Sequence, residues 1–367
     1  MGAEYVLYFY GIVCCGMIVF NVAYAILLRG NDSRMKRRIL VLREATERQL
    51  ERLERGETLD ERYVRKLRRK LCRVRNLIAF DRVLRELDQN GGTPALHTYR
   101  TQLQPCFLYL AFVYRKRETT QAAYFSYFLS RYMEQAHMPI QTMQEVLLSF
   151  IGRNDLYCRV NGLQALYTFG SVDHILAALS LQDQGSVFLH EKILTEGLLS
   201  FTGDHQELIA RLWERLDTFT PRTRLAILNY IRFQSGDYGA EMFVIMENPT
   251  RDKELRLSAI RYFGRYSHPE ALEPLLAFVR DDDPEHWEYA TVSASALAHY
   301  SGQQVIDALK GALHSSNWYV RAAASASLEA LGVNYEDMID IVTGNDRYAR
   351  EIMTYRLEAR RIQHGGR

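Results

Sequence analysis

The sequence predicts an all-α protein: a single transmembrane helix, a basic helical hairpin, and an α-solenoid of about six to seven helix pairs. Three observations lead there. Residues 5–28 carry no charged side chain, and residues 29–89 hold 19 Lys/Arg against 11 Asp/Glu. From residue 159 onward one pattern recurs about every 32 residues. The average composition hides all three, since the 367 residues sum to a formal net charge of +2. Eight prolines and 22 glycines exclude collagen-like and low-complexity classes. The five cysteines have no close spacing except Cys14-Cys15, which excludes a disulfide framework and a CxxC zinc ribbon.

The first element is the uncharged run YVLYFYGIVCCGMIVFNVAYAILL, residues 5–28. As a helix it reaches about 36 Å, enough to cross a hydrocarbon core of about 30 Å with some tilt. Tyr5, Tyr8 and Tyr10 at one end and Tyr24 near the other suit the two interfaces. A cleaved signal peptide fits less well, because only Glu4 stands where a positive segment belongs and Leu27-Leu28-Arg29 offers no small-residue cleavage site. Arg29, Arg34, Lys36, Arg37 and Arg38 follow the run at once, and no Lys or Arg precedes it. The expected location is therefore the cytoplasmic (inner) membrane, single-pass, with the N-terminus outside and the rest in the cytosol. Met1-Gly2 does not form a myristoylation motif, since position 6 is Val. Gly11 and Gly16 lie five apart, not the four of a GxxxG contact.

The second element is the hairpin. A helix from Asp32 or Ser33 to Arg55 carries Ile39, Leu42, Thr46, Leu50 and Leu53 at spacings of three and four, and Gly56 stands where a C-cap belongs. Thr58-Leu-Asp-Glu61 reads as a capping box that restarts a helix bearing Val64, Leu67, Leu71, Val74 and Ile78. Narrow apolar seams on charged helices resemble a short antiparallel coiled coil that ends at Asn90-Gly91-Gly92. Its densest charge run includes Arg65, Lys66, Arg68, Arg69 and Lys70. With Arg34, Lys36, Arg37 and Arg38 these form the expected membrane- or partner-facing basic set. The run suits a solvated face, attraction to anionic headgroups, or an acidic protein partner.

The third element is the repeat. Arg159 leads to Leu166 and Gly170, and Arg321 leads to Leu328 and Gly332. The same frame places anchors at residues 159, 191, 224, 256, 290, 321 and 350. Four residues before an anchor stands a helix-capping residue: Asp155, Thr220, Asp252, Asn317 or Asp346. Pro follows Thr220 and Asp283, the first-turn placement that proline favours. Small residues fill first helices, as in Ala322-Ala-Ala-Ser-Ala-Ser327, and a second amphipathic helix follows, as in Val305–Leu313. One such unit cannot bury its apolar face alone, whereas a stack can.

This Asp/Asn-x-x-x-Arg-x-x-Ala/Ser…Leu-x-x-x-Gly frame resembles the short bacterial-type HEAT repeat, also called the PBS-lyase HEAT-like repeat. The resemblance covers about residues 155–360 and is carried by Asp155 with Arg159, Asp252 with Arg256, Asn317 with Arg321, and Asp346 with Arg350. The units at Glu191 and Ala290 depart from it. It implies a right-handed solenoid whose second helices line a concave protein-binding surface. Most relatives are scaffolds, and some are bilin lyases or isomerases.

The segment between hairpin and repeats holds Phe107, Tyr109, Phe112, Tyr114, Tyr124, Phe125, Tyr127, Phe128 and Tyr132, interrupted by Arg115-Lys-Arg117. It is expected to be an N-terminal cap of the stack, with an aromatic docking surface as the alternative. The boundaries are then 1–30 for the anchor, 31–92 for the hairpin, 93–150 for the cap and 151–367 for the solenoid.

No HExxH, P-loop, GxGxxG or GxSxG motif occurs, and Asp281-Asp-Asp-Pro-Glu-His286 reads as a solvated capping loop rather than a metal site. No enzyme activity, cofactor, metal, nucleic acid or small-molecule substrate is expected. DNA binding is disfavoured further by 27 Lys/Arg against 32 Asp/Glu in residues 90–367. The expected function is a membrane-anchored cytosolic scaffold that binds a protein partner at the inner membrane surface, such as an accessory subunit of a polysaccharide synthase. A HEAT-like bilin lyase or isomerase is the alternative.

Overall fold

A computed structural model of the chain describes residues 2–89, 91–133 and 141–365, and every regular element among them is helical. It divides into two compact units, Met1–Val187 and Phe188–Arg367.

The first unit opens with α1 (Gly2–Glu54) and α2 (Glu61–Leu71), then α3 (Val74–Gln89), α4 (Pro94–Gln102) and α5 (Gln104–Arg115). It closes with α6 (Thr119–Tyr132), α7 (Gln141–Ile151), α8 (Leu156–Phe169) and α9 (Val172–Gln184). The helix break expected at Asp32 or Ser33 does not occur. One Gly at position 30 costs about 1 kcal/mol inside a helix, too little to interrupt two long helical stretches already joined in phase.

Among the described residues no helix is long and apolar enough to cross a membrane, so the transmembrane assignment is not carried by the structure. Half of the uncharged run lies outside the described side chains, which resume at 8–9 and 13–22. There Tyr8, Phe9, Met17, Ile18, Val19 and Phe20 are each more than 60% exposed.

Beyond Ser33 the expected seam is buried at Leu42, Thr46 and Leu50 and half-buried at Ile39 and Leu53. Gly56, at φ +79°, closes α1 as expected, its N–H bonding to the Leu53 carbonyl at 2.9 Å and that of Glu57 to Arg52 at 3.0 Å. The next helix departs from expectation twice. Its cap is Asp60, which accepts from the Arg62 N–H, rather than Thr58. It then stops at Leu71, so the expected continuous seam to Ile78 is split by a two-residue turn. Nor do α1 and α2 form an isolated coiled coil: α1 packs on α3 and α4, and α2 on α3 and α5. Thr46, Tyr63 and Tyr99 link α1, α2 and α4 through their hydroxyls, the two phenols 2.6 Å apart.

The aromatic segment builds core. Phe107, Tyr114, Phe125, Phe128 and Tyr132 are buried, while Tyr109 and Phe112 stay partly exposed. The α6 helix packs on α8, in the way that successive first helices pack in the second unit.

That unit contains α10 (Glu191–Leu199), α11 (His205–Glu214), α12 (Pro221–Gln234), α13 (Gly239–Glu247), α14 (Lys253–Phe263) and α15 (Leu272–Arg280). It continues with α16 (Trp287–Ala296), α17 (Gln303–Ala312), α18 (Trp318–Ala330), α19 (Ile339–Val342) and α20 (Arg347–Gly365). First helices stack in order, α10 on α12, then α14, α16, α18 and α20. Small side chains allow the approach: Ser293, Ala294, Ala324 and Ser325 are buried, and Ser327 Oγ donates to the Ala294 carbonyl at 2.7 Å. Each second helix from α13 to α19 packs on the next first helix. The final second helix, α19, is reduced to one turn.

Candidate functional site

The repeat anchors hold the turns between helices. Asp155, Asp252, Asn317 and Asp346 each accept a hydrogen bond from a backbone N–H in the first turn of the helix that follows. Four anchor arginines reach back to a carbonyl five or six residues earlier: Arg159 to Arg153, Arg224 to Phe219, Arg321 to Ser315 and Arg350 to Gly344. Arg256 reaches Met246 instead. A guanidinium offers several donors in a rigid fork, so one side chain satisfies carbonyls that a helix end leaves open. Arg159 is 3% exposed and also faces Gln182 Oε1 at 3.3 Å. These residues are structural, and Thr220 makes no side-chain cap bond. In the unit at Glu191, His190 supplies a cap, accepting from the Lys192 N–H at 3.2 Å, which the Asp/Asn/Thr pattern had not marked.

The basic residues separate into groups. Arg34, Arg37, Arg38 and Lys70 line one cleft of about 440 Å³, together with Arg73 and Asn76. Lys36, Arg65, Lys66 and Arg69 are exposed away from it. Arg68 lies over the Tyr109 ring at 4.5 Å.

In the second unit a groove of about 630 Å³ runs between the loop before α16 and the loop before α18. Asp281, Asp282, Asp283 and Asp307 line it against one arginine, Arg280, and Trp287 forms part of its wall. The loop is ordered by its own acids. Asp283 N–H donates to Asp281 at 3.0 Å, and Asp283 accepts from the Glu285 N–H at 2.9 Å. That backbone bond, with the hydrogen bond from His286, holds the Asp281 carboxyl below its usual value. Trp287 stacks on Tyr319 with ring centroids 5.3 Å apart, and Tyr319 meets the exposed Trp318 edge-on at 5.2 Å. Carboxylates beside half-exposed aromatic faces suit an ammonium or guanidinium group. The Asp281–His286 loop is the capping loop expected, with Asp283 as the cap of the short turn Pro284–His286. The groove is not visible in that segment because its opposite wall, from Asp307 to Val320, comes from α17 and the start of α18.

At the other end of α16 a cleft of about 600 Å³ gathers Arg232, Arg261 and Arg265 beside Phe233. Burial, then the neighbouring arginines, lowers the Arg232 pKa. Among the described residues no group of three or more His, Cys, Asp or Glu could hold a metal ion.

Residues 245–329 match a family model of HEAT repeats. The match includes the whole acidic groove. No curated protein matches the chain at significant similarity.

Proposed function

We propose that this chain is a membrane-anchored scaffold, with α1 as the anchor and the HEAT-type stack as the part that holds a protein partner. HEAT repeats are protein-interaction surfaces, and the acidic, aromatic-walled groove at Asp282 and Trp287 is the observation that carries the partner reading. It suits a cationic segment of the partner. The anchor reading rests on the uncharged run of 24 residues followed directly by five cations, and on the exposed apolar side chains of α1 from Val13 to Val22. In this reading the protein works by holding its partner at the cytosolic membrane surface rather than by chemistry of its own. An accessory subunit of a membrane enzyme, such as a polysaccharide synthase, is its specific form.

The test is purification of the tagged full chain from native membranes in mild detergent after cross-linking, beside an Asp282→Lys/Trp287→Ala variant. A stoichiometric partner is expected with the native chain and not with the variant. No partner, or equal recovery with both, contradicts the reading.

A further inference from the structure

Seven cations meet where two helix connections of the first unit, α2–α3 and α5–α6, come up against α1. The cleft lined by Arg34, Arg37, Arg38, Lys70 and Arg73 adjoins a second of about 360 Å³ that adds Arg75 and Arg117. Arg38, Arg73 and Asn76 line both, and no Asp or Glu lines either. Among the described residues none of the seven forms an ion pair.

Elsewhere in the hairpin several cations are paired. Arg43 pairs with Glu86 at 2.6 Å, Arg52 with Glu57 at 2.9 Å and Arg85 with Asp81 at 2.9 Å. What sets the clefts apart is that seven cations share them with no carboxylate in the lining. Like charges gathered without counter-ions repel, and the arrangement is stabilised by an anion between them.

The fold decides which end of the bundle the clefts occupy. Tyr63 of α2 lies beside Thr46 of α1, while Lys70 lines the cleft with Arg37 and Arg38, so α2 runs back along α1. The turn at Cys72 and Arg73 thus lies at the end of the bundle nearest the uncharged run. Because α1 is continuous, Arg34 and Arg38 sit about 9 and 15 Å beyond Leu28 along its axis. A headgroup layer about 5–8 Å thick, met by side chains as long as arginine, falls within that reach.

The cleft is also preorganised. Tyr114, buried and stacked on Phe125 at 4.8 Å, donates its hydroxyl to the Leu71 carbonyl at 2.8 Å. Asn76 Nδ2 donates to the Lys70 carbonyl at 2.8 Å, and Arg153 donates to the Arg117 carbonyl at 3.0 Å. Both turns that carry the cations are held from below.

We propose that these joined clefts bind the phosphate of an anionic phospholipid headgroup, with Arg38 and Arg73 at the centre. The site deepens the scaffold reading and rests on it for the source of the ligand: it would set the rotation and height of the first unit on the bilayer, which a single helix leaves free.

The test uses the full chain in mild non-ionic detergent, titrated with dioctanoyl phosphatidylglycerol, dioctanoyl phosphatidylcholine and inorganic phosphate. Phosphatidylglycerol is expected to bind best, and Arg38→Glu/Arg73→Glu to weaken it by about tenfold or more. Arg65→Glu/Lys66→Glu makes the same charge change outside the clefts and is expected to leave binding within about twofold. Arg38→Gln/Arg73→Gln, expected to weaken binding in the same direction, replaces the reversal should that variant not fold. Equal losses in the inside and outside pairs overturn the site in favour of diffuse attraction. Equal binding of both lipids, or equally tight binding of inorganic phosphate, overturns the lipid assignment. Binding is read in detergent, so it fails or succeeds independently of whether α1 holds the protein in a membrane.

Discussion

Tyr132 donates its hydroxyl to Asp81, 2.8 Å from a carboxylate oxygen that is otherwise closed off from water. Tyr124 and Arg85 approach the other oxygen, at 2.8 and 2.9 Å, so the buried carboxylate ties α3 to α6 through two tyrosine hydroxyls while Arg85, one turn along α3, braces it. Tyr132→Phe should destabilise the first unit by about 1.5 kcal/mol, and Asp81→Ala, which takes the carboxylate from all three donors and leaves Tyr132 only the residue 81 carbonyl, by about 3 kcal/mol. Denaturant unfolding followed by near-ultraviolet circular dichroism measures both. A Tyr132→Phe effect below about 0.5 kcal/mol would show that the bond is not formed in solution.

Two glycines separate a packed position from an open one. A Cβ on Gly185 would collide with the buried Arg159 guanidinium, whereas one on Gly311 in α17 meets nothing within 4 Å. Gly185→Ala is expected to cost about 1–3 kcal/mol, and Gly311→Ala to add about 0.5–1 kcal/mol by helix propensity. The same unfolding experiment reads both, and equal signs would contradict the assignment of Arg159 to the inter-helix turn.

Burial pushes the Cys106 thiol up to about 12 and the Cys158 thiol up to about 11. At pH 8 both should be almost wholly protonated and resist Ellman's reagent in the native chain, then react fully in denaturant. Mass spectrometry of the labelled peptides identifies the sites. Rapid native labelling at either residue would place it at the surface.

Much of the repeat stack was legible because its information is local. Cap, anchor and small-residue stripe recur within one unit, and first helices begin where Asp155, Asp252, Asn317 and Asp346 foretell them. The hairpin was less legible. The turn after Leu71 depends on Tyr114, distant in sequence, and the α3 core turns on Leu77, Phe80 and Leu84 rather than Val74 and Ile78. The basic set was legible as a set, Arg34, Arg37, Arg38 and Lys70 included, but its division into cleft and solvent-facing residues was not, and the acidic groove was hidden altogether. Arg38 and Arg73, like Trp287 and Tyr319, become neighbours only through tertiary packing.

Four aspartates give the second unit its acid limit. Asp217 is held below its usual value by a hydrogen bond from Arg251, Asp340 by one from Lys310, Asp346 by one from His314, and Asp281 by the Asp283 N–H. A carboxyl depressed in the folded state adds stability above its unfolded value near pH 4 and loses it as pH falls through the folded value. Stability should therefore decline below about pH 4, and less steeply in an Arg251→Ala/Lys310→Ala variant. Unfolding midpoints from pH 6 to pH 3 test this, and parallel curves for the two chains would contradict it.

The scaffold reading depends on α1 holding the chain in a bilayer. The direct measurement is alkaline carbonate extraction of native membranes that contain the full chain, beside a chain lacking residues 1–30. The full chain should stay with the membrane pellet and the shortened one should leave it. Release of the full chain into the supernatant would mean that α1 does not span a membrane.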